Sequence, residues 1–489
     1  MGGGSAGWMT AAALAKHLGS THYQISLVES SSIGTVSVGE ATIPAIQEFN
    51  QMLGIDENAF MRFTYGSFKL GILFQDWAKL GHQYMHPFGA YGLDMNGVPF
   101  HHYWLAQQEK KPLETYNLEY QAALANKFTR PIPNSRSPLA AVRYAFHFDA
   151  TKYAEFLKHY ALERGVTAID AEVLEITQHS NQDIATLVLD NDQVIAGDLF
   201  IDCSGFKARL IGDTLGVEYE DWRHYLPCDS AYAQASEVLP KLLPYTISRA
   251  HHAGWQWQIP LQHRTGNGLV FASAFMQDSE AEQLLAQQLP STALADARKL
   301  TWINGKRKQA WKANCVAIGL SAGFIEPLES TGLQLIQSGI MKLLALFPNQ
   351  GCEIQDQQAY NRFTDKEFED VRDFIVLHYK ANQRDDSEFW RYCQNMAIPD
   401  SLTQRIELYR ASGRIFRDSN ELFNEISWFS VLNGQGIVPR SFHPFVSLLE
   451  AEKREQNLHY IEGAMRESVA AMPSHQAYIN QHCRAELPA

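Results

Sequence analysis

Apolar and polar positions change period along the chain, and each change marks an element. Residues 8–16 are alanine-rich with high helix propensity and follow Gly2-Gly3-Gly4-Ser5-Ala6-Gly7, so a glycine loop opens a helix. Residues 23–29 alternate and end in a carboxylate, Glu29, as a strand of a parallel sheet does. Residues 67–77 place Phe68, Leu70, Ile72 and Phe74 on one face by period two and Lys69 on the other, which predicts one strand. Residues 172–204 read as two or three strands, the last running into the turn Asp202-Cys203-Ser204-Gly205. Residues 255–261 and 269–275 flank 264–268, where Asn267-Gly268 predicts a hairpin turn. Residues 315–320 predict a buried strand, and 333–346 carry helical spacing. Helical spacing resumes at about 356 and holds mostly to 417, with a loop-rich stretch at 433–444.

Composition narrows the partners. At 489 residues and 45% apolar, the chain can bury one large core or two to three smaller ones, which excludes disorder. A net charge of −13, from 41 basic against 54 acidic residues, repels a polyanion and excludes nucleic acid. Six scattered cysteines with no C-x-x-C pair, and no histidine spaced for zinc, point away from metal and toward a reducing compartment. No apolar run approaches the roughly 18 to 20 residues that span a bilayer, so the cytoplasm is the expected location and a membrane is not a partner.

Gly2-x-Gly4-x-x-Gly7, with Ser5 and Ala6 between, has the spacing for a tight turn, close approach of a pyrophosphate and helix packing. Glu29 lies about 22 residues beyond Gly7, where a carboxylate meets ribose hydroxyls. Together they predict a dinucleotide site. NAD and FAD share this fingerprint. Two later strand-to-turn segments, 201–205 and 318–323 with Gly319, are of the kind that FAD-binding folds return to the cofactor. No second G-x-G-x-x-G exists for a nicotinamide nucleotide, so a separate NAD(P)H-dependent flavin reductase is the expected electron source. Trp255 and Trp257 alternate on one strand face before Pro260; taken alone, they read as core aromatics.

Gly254-Trp255-Gln256-Trp257-Gln258-Ile259-Pro260 with the glycine loop resembles the flavin-dependent halogenases, the family of the tryptophan halogenases, and the resemblance covers nearly the whole chain. Phe324-x-x-Pro327-x-x-Ser330-x-Gly332 is similar to the family's F-x-x-P-x-x-S-x-G motif residue for residue. The resemblance implies an α/β FAD/NAD(P)-binding Rossmann-like fold of the flavin monooxygenase type with a mostly helical C-terminal part. It implies a discontinuous FAD-binding region (1–60, 140–220, 300–350), a substrate side (61–139, 221–299) and the helical region 351–489. Reduced FAD and O₂ would convert bound chloride or bromide to hypohalous acid, which travels to Lys69. Lys69, in Ser67-Phe68-Lys69-Leu70, resembles the catalytic lysine that presents halogen to the substrate, and Glu329 corresponds to the second catalytic residue. Taken alone, Lys69 reads as a solvated strand-face lysine and Glu329 as a first-turn helix acid. Thr331 and Gly332 match the positions that hold halide, Glu40 and Ala41 with Ser330 match positions near the flavin, and Trp255 and Trp257 would separate flavin from substrate.

His86, Pro87 and Phe88 resemble the stretch that sandwiches an indole ring, so an indole or tryptophan-like small aromatic is the expected substrate. The chain has no Tyr-Tyr pair of the kind that clamps an amino-acid backbone, which favours a simple indole, or an aromatic on a larger molecule, over free tryptophan. A homodimer is a candidate assembly. An aromatic hydroxylase and a non-catalytic FAD-binding protein are the competing readings. Only Met1 precedes Gly2 where the family places an apolar strand, and a start assigned too late is the expectation.

Overall fold

The computed structural model describes residues 1–32, 39–349, 351–418 and 420–486. The chain divides into two compact units: Met1–Thr64, Phe148–Arg223 and Thr301–Glu369 form one, and Tyr65–His147, His224–Leu300 and Asp370–Ala489 the other.

In the first unit the glycine loop opens helix Ser5–Leu18, which is buried continuously from Gly7 to Ala15. A helix apolar on all faces must be covered all round, and Ala150–Leu162 and Gly332–Ala345 pack against it. Strand Ser26–Glu29 pairs in parallel with Thr167–Asp170. Strand Phe200–Asp202 pairs in parallel with Cys315–Ala317. The termini of the two pairs are linked through the first residues: Met1 donates its N-H to Ile201 O (2.9 Å), Cys203 N-H to Met1 O (2.9 Å) and Gly2 N-H to Val28 O (2.8 Å). Four strands, not two or three, lie in 172–204: the antiparallel meander Val173–Gln178, Ile184–Leu189, Val194–Ala196, and then Phe200–Asp202.

The second unit is built on a seven-stranded sheet in the order Arg298–Thr301, Ser230–Ser236, Thr265–Phe271, Gly254–Pro260, Thr246–His251, Gly71–Gln75, Gln83–Pro87. Two expectations need correction here. The single strand expected over 67–77 is two, Ser67–Lys69 and Gly71–Gln75, because the Leu70 peptide turns to other partners: its N-H donates to Pro244 O (2.7 Å) and its carbonyl accepts from Phe88 N-H (3.0 Å). Asn267-Gly268 is not the hairpin turn but lies inside a strand, paired with Gln258 and Trp257; Leu261 N-H to Arg264 O (2.9 Å) closes the turn instead. The glycine is there for space, since a Cβ on Gly268 would stand 2.0 Å from the Trp257 ring.

Helices Glu388–Asn395, Asp400–Ser412, Glu425–Gly434, Ala451–Ala471 and His475–His482 follow the long helix Ile354–Lys380. Glu425–Gly434 packs on strand Gln83–Pro87, and Ala451–Ala471 on helix Leu118–Leu124. No helix among the described residues is long and apolar enough to cross a membrane.

Candidate active site

The glycine loop is shaped around its own carbonyl and an open side. A Cβ on Gly7 would stand 1.8 Å from Gly2 O, so only glycine lets the loop fold back on the helix, whereas the Cβ direction of Gly4 meets nothing within 4 Å. Gly4 is the N-cap residue, no side chain caps the helix, and no acid lies in its first turn. Free N-H groups and the positive end of a 14-residue helix therefore border that open space, with Ser5 and Ala6 in the first turn. A pyrophosphate fits there. Glu29 is held rather than free: Trp8 Nε1-H donates to it (3.1 Å) and Lys158 Nζ forms an ion pair with it (2.6 Å). Gly319 returns to this loop, the Cβ direction of Gly319 lying 2.8 Å from Ala6 Cβ.

Strand Gly39–Ala41 carries Glu40 and Ala41. Burial, reinforced by the charge of Asp149, pushes the Glu40 carboxyl up to about 7. Asp149 caps helix Ala150–Leu162 by accepting from Thr151 and Lys152 N-H.

The segment after Phe324 is a short 3₁₀ turn, Pro327–Glu329, ending at Ser330 with φ 61°. A serine in the left-handed region costs ~1 kcal/mol or more and turns the chain sharply into helix Gly332–Ala345. Glu329 is buried, 1% exposed, instead of standing in solvent as a first-turn acid. Thr331 is fully buried, and its hydroxyl has no hydrogen-bond partner among the described residues. The Cβ direction of Gly332 opens onto free space. An orphaned hydroxyl and uncapped amides at a helix head are the donor set of an anion site.

In the second unit, Lys69 is 0% exposed, so the reading of a solvated lysine is corrected. Its strand is buried because the outer edge is occupied: Phe68 N-H donates to His475 Nε2 (3.1 Å) and Leu70 N-H to Pro244 O. The Lys69 ammonium lies over the Phe88 ring, 5.3 Å from its centroid. Burial first, and the Lys69 charge second, hold His147 well below the usual histidine range. His86 and Pro87 end strand Gln83–Pro87. The His86 ring is buried against the stacked Phe374–Phe423 pair, at 5.6 and 6.2 Å, while Phe88 is half-buried. Trp255 and Trp257 are both buried with ring centroids 6.1 Å apart; Trp255 packs on Trp77, and Trp257 covers Gly268.

Sequence reading passed over several residues that shape these sites. Asp202 is fully buried and accepts from Ser204 N-H and Oγ-H, Leu210 N-H and Ile211 N-H, so one carboxylate fixes the turn after its strand. Its place at a strand-to-turn junction was the available signal. Asn117 donates to the carbonyls of Gly89 (2.9 Å) and Ala90 (3.1 Å) just after Phe88. Lys158, Asn117 and His475 have no local pattern that announces them.

A sequence model described as tryptophan halogenase matches residues 1–451. Tryptophan 6-halogenase SttH of Streptomyces toxytricini is 34% identical over 98% of this chain and 96% of its own length. Among solved structures, Xcc4156, a flavin-dependent halogenase from Xanthomonas campestris, superposes with TM-score 0.96 at 44% identity, covering 100% of this chain and 98% of that one. BrvH, a flavin-dependent halogenase from Brevundimonas sp. BAL3, gives TM-score 0.94 at 43% identity, with 98% and 97% covered. Glycine cradle, anion-ready turn and buried lysine thus accompany similarity along the full chain, which belongs to the tryptophan halogenase family and is a flavin-dependent halogenase.

Proposed function

We propose that this halogenase acts on an indole or another electron-rich aromatic of that kind, with Lys69 presenting the halogen and Glu329 taking the proton that leaves the ring. Bound reduced FAD would supply the oxidising chemistry, overall FADH₂ + O₂ + X⁻ + H⁺ giving FAD + HOX + H₂O. Gly2, Gly4, Ser5, Ala6, Gly7 and Gly319 would hold it, with Glu29 at the ribose and Glu40, Ala41 and Ser330 near the ring system. Thr331 and Gly332 would hold chloride or bromide.

The observation that carries this reading is the wholly buried Lys69 amine over Phe88. Burying an ammonium is costly, and an aromatic face returns ~2 kcal/mol or more when both are desolvated. A strand that tolerates this cost gains a lysine N-H donor shielded from water, which would hold hypohalous acid so that electrophilic halogen reaches the ring before hydrolysis. Phe88, half-buried beside it, offers a flat face on which an indole stacks. Ring halogenation, ArH + HOX giving ArX + H₂O, takes one proton from the ring and delivers it to the hydroxide that leaves HOX, and the buried Glu329 is the carboxylate assigned to accept that proton and pass it on.

The tryptophan named for SttH enters here as a candidate substrate. A simple indole is favoured because the chain lacks the paired tyrosines of an amino-acid clamp. Electrons would come from a separate NAD(P)H-dependent reductase, and six cysteines outside any disulfide suit a reducing cytoplasm. A homodimer belongs to this reading as a proposal tested by light scattering. The deciding experiment supplies FAD, a flavin reductase, NADH and bromide or chloride to an indole panel and reads halogen isotope patterns by mass spectrometry. Hydroxylated, unhalogenated product overturns the reading. Full halogenation by Lys69→Ala overturns the role of the lysine.

A further inference from the structure

The strand that carries Lys69 is an edge strand, and one face of its backbone needs a partner. Ser67–Lys69 pairs antiparallel with 145–147. Successive residues of a strand direct their backbone groups to opposite sides, so the N-H groups of Phe68 and Leu70 share the outer edge. Segment 242–244 runs beside that edge. Pro244 O accepts directly from Leu70 N-H at 2.7 Å. Two residues earlier the gap is wider, and a side chain fills it: the His475 ring accepts from Phe68 N-H through Nε2 (3.1 Å) and donates through Nδ1 to Leu242 O (2.8 Å). The imidazole thus stands where a ladder residue would.

We propose that His475 is a positioning residue for halogenation: as a spacer between Phe68 N-H and Leu242 C=O, it fixes the backbone on which Lys69 is carried. The inference rests on the reading of Lys69 above, and His475 lies beyond residue 451, where the family match ends. The two partners allow one protonation state. A backbone N-H only donates and a carbonyl only accepts, so Nε2 must be bare and Nδ1 must carry the proton. An imidazolium would set N-H against N-H. Burial agrees, holding this histidine down at about 4.

The ring is itself fixed. Its backbone N-H donates to Asn126 O (2.9 Å), and its ring lies 6.0 Å from both Phe68 and Phe128, which stack on each other at 4.0 Å. On the strand's inner side, Ser67 Oγ donates to Pro260 O (2.6 Å) and contacts His147 Nδ1 (3.0 Å), whose Nε2 meets Thr246 Oγ1 (2.9 Å). The residue before Lys69 is therefore held by His475, the one after it by Pro244, and its pairing side by the strand of His147.

The test compares the full-length, FAD-loaded enzyme with His475→Phe, which keeps a ring but removes the acceptor, and His475→Gln, which restores an acceptor near the Nε2 position. Oxidation of reduced flavin and hypohalous acid trapped by a diffusible scavenger are read beside kcat and KM for indole halogenation. The expected result for His475→Phe is flavin oxidation and hypohalous acid within about twofold of the parent, unchanged KM and kcat lowered about tenfold or more, with His475→Gln recovering most of it. An unchanged kcat in His475→Phe overturns the proposal, as does a parallel fall in hypohalous acid and halogenation, the mark of a merely structural role. Lys69→Ala separates the two readings: if it still halogenates fully, the lysine reading fails; if it is inactive while His475→Phe is unaffected, only the spacer fails. Should His475→Phe not fold, ¹⁵N-histidine spectra of the parent enzyme decide, since a neutral ring protonated at Nδ1 supports the proposal and an imidazolium near neutral pH overturns it.

Discussion

Replacing Thr331 by valine should move stability and activity in opposite directions. Its hydroxyl is fully buried without a hydrogen-bond partner among the described residues, at the head of helix Gly332–Ala345. A buried hydroxyl left unmatched costs roughly 1–3 kcal/mol, and valine removes it while keeping the shape of the side chain. The folded state without halide should therefore be unchanged or stabilised by about 1–2 kcal/mol. On the proposed halide site, the same hydroxyl would be a donor to the anion, and a hydrogen bond to a charged group is worth about 1.5–3 kcal/mol. The amides of Thr331 and Gly332 remain in the variant, so the loss belongs at the lower end, about tenfold in the halide KM. Denaturant midpoints in halide-free buffer and halide titrations of steady-state bromination check the two halves. A variant destabilised by more than about 1 kcal/mol with an unchanged halide KM would refute the assignment, because the hydroxyl would then serve the fold and not the anion.

Other perturbations test other links of the argument. Gly7→Ala puts a methyl 1.8 Å from Gly2 O, so the loop must open and flavin retention on purification, read by absorbance, should be lost. Gly268→Ala drives a Cβ to 2.0 Å from the Trp257 ring and should cost about 1–3 kcal/mol by denaturant titration; an unperturbed midpoint would contradict the packing role given to that glycine. Acid should weaken the fold through His475, which burial lowers from 6.5 to about 4, with its Leu242 hydrogen bond a smaller opposing effect. Below about pH 6.5 the unfolded chain binds a proton that the folded chain refuses, so its contribution is complete above that pH and declines toward pH 4, by roughly 3 kcal/mol in all. Chemical denaturation across this window should show the slope, and His475→Gln should flatten it.

The sequence by itself determined the parts of this protein whose physics is local. A glycine loop running into an alanine-rich helix and then a strand ending in Glu29 needs no distant information, because φ freedom, helix propensity and period-two alternation act over a few residues. The motif Phe324–Gly332 and the class of fold were legible in another way, through their resemblance to the flavin-dependent halogenases. Burial was not legible. Lys69 alternates as a solvent-facing residue should, yet it is 0% exposed: His475, 406 positions away, and Pro244 close the outer edge of its strand, and its ammonium lies over the Phe88 ring. Asn267-Gly268 carries the local signature of a turn, yet the Trp257 ring needed a residue without a side chain opposite it, and cross-strand packing overrode the local preference. Which polar group ends up buried, and which partner it meets, depends on contacts between segments far apart in sequence, and only the tertiary structure decides those.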